Sequence, residues 1–251
     1  MRVSKLGRGD VGVYSAVAYQ VTQNRIPFVD FAWAQGAALP YVMGFYVLLA
    51  GPAMLSLQIF TVMFSLLTLW LLVTLADRIL SANVPDKVSA GKGVLLTVLF
   101  CSPYFWWFMA GIDSKTSYIG FLLLMSCYLA YLAVNGSHRF YALAASGLLL
   151  GVLVASKYTF ASIVPCLVGY VAYYSGGKRP QALAIVGMAF VAGFGMFLLP
   201  VFYAVGLQDG VSLVASNLEF MVQDYGMRGT TWIQGIYDSG TMIRTWLLFV
   251  A

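Results

Sequence analysis

Charge is what this sequence has least of. Its 251 residues include 14 Lys and Arg and 9 Asp and Glu, so only 9% of positions are charged. A water-soluble domain carries about 25%, and that class is excluded. Histidine occurs once, at His138. The three cysteines, Cys101, Cys127 and Cys166, sit inside apolar runs with no Cys-x-x-Cys among them. A Cys/His metal site is thereby removed, and the thiols read as packed or lipid-facing. The formal charge of +5 is scattered over short loops with no basic face. A nucleic-acid partner is therefore not expected. Residues 1–12 lack the apolar core of a cleavable signal peptide.

What the sequence has is grease in long runs: 61% of residues are hydrophobic and 16% aromatic. The expected fold class is all-α, a polytopic transmembrane helix bundle. Spanning helices, each needing roughly 20 apolar residues, are expected at 55–76, 93–110, 118–134, 140–155, 158–174 and 182–203. Phe105, Trp106 and Trp107 near the end of one run read as an aromatic belt. Polar connections are expected at 77–92, 135–139, 175–180 and 206–240, with a last span opening near Thr241. The chain reads as one transmembrane domain over 1–251. Because it stops in the first turns of that span, it is expected to be a fragment lacking a preceding helix and a C-terminal continuation.

Alternate loops set the orientation. Arg78, Lys87, Lys92, Arg139, Lys178 and Arg179 face only Asp77 and Asp86 on one side. By the positive-inside rule these loops are cytoplasmic. The opposite side carries Asp10, Asp30, Asp113, Asp209, Glu219, Asp224 and Asp238. It also carries the least greasy stretch of the first half. There, 12–24 reads as an amphipathic helix lying in the membrane interface, with Val13, Val17 and Val21 on its apolar face. Pro27 is expected to end it. A second interfacial or re-entrant helix is expected from Leu39 to Ala50, broken by Gly51-Pro52.

Carboxylates beside a bilayer are costly and point to function. Asp10 and Asp30 flank the first interfacial helix, and Asp113 lies in the next loop on the same side. Two or three of them converging can deprotonate a hydroxyl or hold a divalent cation. Each also has a plainer reading: Asp10 as a helix N-cap, Asp30 as a turn residue, Asp113 as the cap of the following helix. Lys115 and Lys157 are cations at helix ends on the acidic side, where an ammonium can neutralise a lipid phosphate. Snorkelling is the plainer reading of Lys157. Glu219 and Asp224, with Tyr225 and Trp232, offer an acceptor site.

The order Asp10-x-Gly-Val-Tyr14, Pro27-Phe28-x-Asp30-Phe31, Trp33-x-Gln35-Gly36 and Pro40-Tyr41 resembles the first outer loop of the C-type glycosyltransferases. These are the membrane enzymes related to dolichyl-phosphate-mannose protein mannosyltransferases and the aminoarabinose transferase of lipid A. Gly147-x-x-x-Gly151 with Ala155-Ser156-Lys157-Tyr158-Thr159 is similar to a helix pair of that group. The resemblance covers roughly residues 8–175 and is weak as to substrate. It implies Asp10 as catalytic base with help from Asp113. It implies a substrate-binding set of Tyr14, Asp30, Gln35, Lys115 and Lys157. Many members place a lysine where Gln35, Gly36 and Ala37 stand here, so phosphate contact passes to Lys115 or Lys157. Asp10 is followed by Val11, not by a second acid.

The expected activity is a hexosyltransferase-like transfer of sugar from a polyprenyl-phosphate donor to an acceptor hydroxyl of a lipid, glycan or protein. It would take place on the non-cytoplasmic face of a multi-pass protein of the bacterial inner membrane. A divalent cation is the one cofactor this chemistry admits. The rivals are a transporter or flippase, which would want ionisable groups at mid-membrane, and a non-catalytic membrane scaffold.

Overall fold

The computed structural model describes residues 10–33, 35–51, 54–83, 114–135 and 139–227. Their regular structure is helical: α1 (Asp10–Thr22), α2 (Ala38–Ala50), α3 (Met54–Asn83), α4 (Ser114–Asn135) and α5 (Arg139–Ser156), then α6 (Val164–Tyr174), α7 (Arg179–Gly195), α8 (Leu199–Val205) and α9 (Leu207–Met227). No strand forms among them. The expected span 93–110, with its aromatic belt, and the expected span from Thr241 lie outside the described residues, as does Asp113.

Three helices contain stretches long and apolar enough to cross a bilayer: Leu57–Arg78 in α3, Ser117–Val134 in α4 and Arg139–Ser156, which is α5. At about 1.5 Å per residue, 18 to 22 residues match a hydrocarbon core of about 30 Å. The fold is thus that of an α-helical membrane protein with three such helices, or four if α7 and α8 count as one bent span.

The helices pack as a row. α4 lies between α3 and α5, α5 between α4 and α7, and α6 rests on α7. The α1–α2 hairpin sits against α5 and α3. Without a hydrophobic force between helices in lipid, small residues and hydroxyls must hold them. They do so here. A Cβ at Gly147 would strike the Val186 carbonyl, one at Gly151 the Phe190 carbonyl, and one at Gly193 the Leu148 carbonyl. α5 and α7 therefore touch backbone to backbone. Between α4 and α5, Ser126 Oγ donates to the Ser146 carbonyl at 2.9 Å and Ser146 Oγ donates back to the Ser126 carbonyl at 2.8 Å. Between α3 and α4, the Ser65 and Ser117 hydroxyls pair at 2.9 Å. Phe60 joins this contact to α2, with its ring centroid 5.0 Å from Tyr46 and 6.0 Å from Tyr118.

Several expected boundaries move. α3 does not stop at Ala76: it continues through Asp77 and Arg78 to Asn83. No Gly or Pro interrupts it before Pro85, and Arg78 places its guanidinium 5.6 Å from the Tyr128 ring centroid. The expected span 158–174 is a short 3₁₀ turn (Tyr158–Ile163) followed by the 11-residue α6. At about 1.5 Å per residue α6 falls well short of a bilayer. Pro165, with no N–H to give a preceding turn, sits at its start. The expected span 182–203 is broken: α7 and α8 meet at 54° across residues 196–198, where Pro200 removes a backbone donor. The expected polar connection from 206 is, through Met227, the helix α9.

α1 forms, but its buried face is turned by one residue from the expected one. Val13 is 55% exposed, whereas Tyr14, Val17 and Ala18 are buried. These follow the i, i+3, i+4 spacing of one helix face. The end of α1 is also not set by Pro27. Arg25 N–H reaches the Gln20 carbonyl at 3.2 Å and Asn24 N–H the Val21 carbonyl at 3.0 Å, with Asn24 at φ +58°. This is a Schellman cap with Asn24 in the left-handed position.

Two outcomes follow. Gly151→Leu should lower the thermal stability of the detergent-solubilised protein by about 1–3 kcal/mol through overpacking, while Leu148→Ala, at a position 40% exposed, should change it far less. Asn24→Gly should leave stability unchanged or raise it, and Asn24→Val should lower it by about 1–2 kcal/mol or more, both read by the same melting measurement.

Candidate functional site

The first connection, between α1 and α2, is built by local bonds. Asp30 closes it: its Oδ2 accepts the Ile26 N–H at 2.7 Å and its own N–H donates to the Ile26 carbonyl at 2.9 Å. Phe28, inside this turn, is held at φ +72°, a conformation costly for a bulky side chain. Its N–H donates to the Phe31 carbonyl at 3.0 Å. The chain then turns again at Trp33, whose indole N–H donates to the Gly36 carbonyl at 3.0 Å. The Trp33 ring stands edge-on to Tyr14, with centroids 5.6 Å apart, and both rings are buried.

Gly36 is where this loop meets the bundle. A Cβ there would collide with the Ala155 carbonyl and crowd Ser156. The loop backbone therefore lies directly on the last turn of α5, next to Lys157 and Tyr158. Lys157 is extended (φ −153°, ψ 105°), breaks the helix, and holds its Nζ 5.9 Å from the Phe160 ring centroid. Tyr158 and Tyr41 pack at the α7–α8 break: Tyr158 lies 6.4 Å from Phe194, just before it, and Tyr41 stacks on Phe197, within it, at 6.2 Å. From α9, Asn217 donates its Nδ2 to the Trp33 carbonyl at 2.6 Å.

The elements that meet here carry polar atoms that the described residues leave unsatisfied. Gln35 donates its amide to the Tyr14 hydroxyl at 2.9 Å, but Gln35 Oε1 is buried without a hydrogen-bond partner among the described residues. The same holds for the Tyr41 hydroxyl, the Tyr158 hydroxyl and Asn217 Oδ1. The Asn217 amide has only one consistent orientation, because the Trp33 carbonyl can only accept. Its Oδ1 is therefore an acceptor in search of a donor. Burial, with the Asp30 carboxylate adding to it, pushes Tyr41 up to about 12. Burial alone pushes Tyr158 up to about 12. Both phenols stay neutral at physiological pH and offer an O–H. The junction thus presents two acceptors and two neutral hydroxyls. An orphaned buried polar group costs about 1–3 kcal/mol, so the arrangement suits a hydroxylated molecule or ordered water.

The expected site residues distribute as follows. Tyr14 and Gln35 bond directly, and Lys157 stands beside them in the chain segment that Gly36 touches. Asp30 is exposed and engaged in its own turn, yet its charge is felt at Tyr41. Asp10 is the first residue of α1, one helical turn before Tyr14, and Lys115 is the second residue of α4. Among the described residues no three His, Cys, Asp or Glu side chains come together, so a cage of protein ligands for a divalent cation is not found there. Tyr41 and Tyr158 were legible only as parts of motifs. Asn217 was missed because 206–240 read as a connection. The signal lay in Leu207, Val211, Val214 and Leu218, a helical spacing that places a helix over this segment.

Raising the pH should expose the burial of Tyr41. In the unfolded chain a tyrosine ionises near pH 10, whereas in the fold Tyr41 holds its proton to about 12. Its contribution to stability is complete below pH 10 and is lost as the pH rises towards 12. Tyr41→Phe should flatten the decline in melting temperature over that window, and an unchanged slope would contradict the assignment.

No family model matches this chain, and no curated protein or solved structure matches it either.

Proposed function

We propose that the chain is the catalytic membrane portion of a glycosyltransferase that moves a sugar from a polyprenyl phosphate to an acceptor hydroxyl. The observation that carries this reading is the junction at Gly36. There the loop between α1 and α2 meets the end of a membrane-length helix, and on the elements that meet there two neutral phenols and two amide oxygens are buried without hydrogen-bond partners among the described residues. Such a set suits the hydroxyls of a sugar, which need donors and acceptors together. The junction also lies where a donor with a long apolar tail needs it, at the edge of helices that match a bilayer.

In this mechanism the acceptor hydroxyl attacks the anomeric carbon and the lipid phosphate departs with the electrons of the broken C–O bond. A single displacement inverts the anomeric centre. Asp10 takes the acceptor's proton as general base, with Asp113 in support. Lys157, or Lys115, offsets the charge gathering on the leaving phosphate. Tyr14 orients Gln35, and Gln35 holds the sugar. Asp30 acts through the turn that shapes the loop. The setting is the non-cytoplasmic face of a multi-pass protein in the bacterial inner membrane, with the cationic loops on the other side.

A second reading has its own observation. The 54° break between α7 and α8 is the kind of discontinuous helix that transporters place at a substrate site. Against it stands the scarcity of charge within the candidate spans: none of Leu57–Arg78, Ser117–Val134 and Arg139–Ser156 carries an ionisable carboxylate near its centre. Asp10→Asn should reduce sugar transfer from polyprenyl-phosphate-linked donors by about 100-fold or more, with the protein still inserted in membranes. Full turnover by that variant, or accumulation of donor in sealed vesicles without transfer, would sink the enzymatic reading.

A further inference from the structure

The opposite end of the helix row carries a second feature, unconnected with the sugar-transfer reading. Between the first turns of α5 and α7 lies a cavity of about 160 Å³ lined by Arg139, Phe140, Leu143, Lys178, Gln181, Ala182 and Ile185. Two of these residues are cations, and none is acidic. The sequence holds no Asp or Glu from residue 114 to residue 208. The helices that build the cavity therefore bring no carboxylate of their own to neutralise it.

One of the two cations is held by a side-chain bond, and the other is tied in through its backbone. Arg139 donates from Nη2 to the Ser175 carbonyl at 3.3 Å, which fixes the guanidinium across the gap while leaving its other N–H groups to be filled. The Lys178 backbone N–H donates to the same carbonyl at 3.2 Å, so one oxygen ties the backbone of Lys178 to the Arg139 guanidinium. α7 begins at Arg179 without a side-chain cap. The positive end of a helix dipole thus adds to the two charges.

Apart from Gln181 the rest of the lining is apolar, and exposed aromatics lie beside it. Phe140 is 57% exposed, Tyr141 75%, Tyr173 72% and Tyr174 56%. Tyr173 and Tyr174 meet edge-on at 4.8 Å, as do Phe140 and Tyr141 at 5.6 Å. Exposed aromatics in a ring at one end of membrane-length helices mark the level of the lipid headgroups. Below the collar, Leu148 and Met188 present apolar side chains on the outer surfaces of α5 and α7. An anion held between Arg139 and Lys178 at that level finds water on one side and acyl-chain surface on the other.

We infer that this cavity binds the phosphate headgroup of an anionic phospholipid, with the phosphodiester between Arg139 and Lys178 and the acyl chains along α5 and α7. Basic pockets between membrane helices recognise such headgroups by charge and by depth. Free phosphate shares the charge but makes no use of the apolar floor or the collar, so the lipid is the favoured source.

The test is titration of phosphatidylglycerol into the delipidated protein in neutral detergent, read by native mass spectrometry. Phosphatidylcholine and inorganic phosphate serve as comparison probes. The wild type should retain phosphatidylglycerol in preference to phosphatidylcholine, and excess inorganic phosphate should not displace it. Arg139→Gln with Lys178→Gln should weaken retention about 30-fold, the effect of two basic residues near an anionic headgroup. Arg139 also bonds the backbone, so a second variant guards against misfolding. Gln181→Glu, at an exposed position, puts a carboxylate into the lining and should weaken phosphatidylglycerol retention with an unchanged melting temperature. Equal retention of the two lipids overturns the proposal. So does unchanged retention in both variants, or displacement of the lipid by inorganic phosphate.

Discussion

One stripe of small residues holds this molecule together. Gly147, Gly151 and Ala155 recur every four residues along α5 and lie on one face. The first two bring α7 into backbone contact, and the third carries the loop at Gly36. Dispersion between close-packed backbones is available only where side chains are absent, and it falls off within an ångström of added separation. Both the helix row and the candidate site therefore depend on the same surface. A methyl group in the wrong place along this stripe does not only loosen two helices. At Gly36, which lies against the Ala155 carbonyl, it would also crowd the first loop.

The site at the end of the stripe is defined by what it leaves unsatisfied. Several hydroxyls within the helix row are spent on structure: Ser126 and Ser146 bond reciprocally, Ser65 pairs with Ser117, and Thr61 donates to the Leu57 carbonyl at 2.9 Å, while Ser175 Oγ at the far end of the row is buried without a partner among the described residues. Four of the six buried orphan atoms among the described residues belong to Gln35, Tyr41, Tyr158 and Asn217, on the elements that meet near Gly36. Native proteins rarely bury unpaired polar groups without a reason such as a ligand or water. Their chemistry narrows the reason. The phenols are neutral and the amide oxygens are neutral, so the junction favours hydroxyls over ions, with charge supplied from Lys157 at its edge and from Asp30 outside.

Much of this was legible in the sequence, and the failures have physical causes. Hydropathy found α3, α4 and α5 because a bilayer-length helix needs a long apolar run and little else. It misjudged their neighbours because it is blind to breaks. Pro165 and Pro200 each remove a backbone donor, and the runs around them remain greasy while the helix stops or bends. Asp77 and Arg78 looked like a loop only because they are charged, whereas the helix continues to Asn83. On α1 the valines at 13, 17 and 21 drew attention, yet the packed face is that of Tyr14, Val17 and Ala18. Alanine and tyrosine carry little hydropathy signal, yet both are buried, while Val21 packs on Gly44, where a Cβ would meet it at 2.9 Å. Of the site, Tyr14, Gln35 and Lys157 came from motif order. Asn217 could not, since its partner Trp33 lies 184 residues away and a distant side-chain bond leaves no local pattern.

Stability is spread unevenly over this framework. α7 is gripped along its length by Gly147, Gly151 and Gly193, so it can neither slide nor rotate without separating backbones. Past Gly195 that grip ends. α8 is only seven residues long, and α9 rests on it where Gly210 admits the Phe202 ring. The Asn217 bond to Trp33 ties α9 back to the first loop. One such bond is worth about 1 kcal/mol net, far less than a close-packed helix interface. Segments held this lightly open before the rest of a fold does. α9, which carries one of the unsatisfied polar atoms at Asn217, is thus also among the parts least firmly attached.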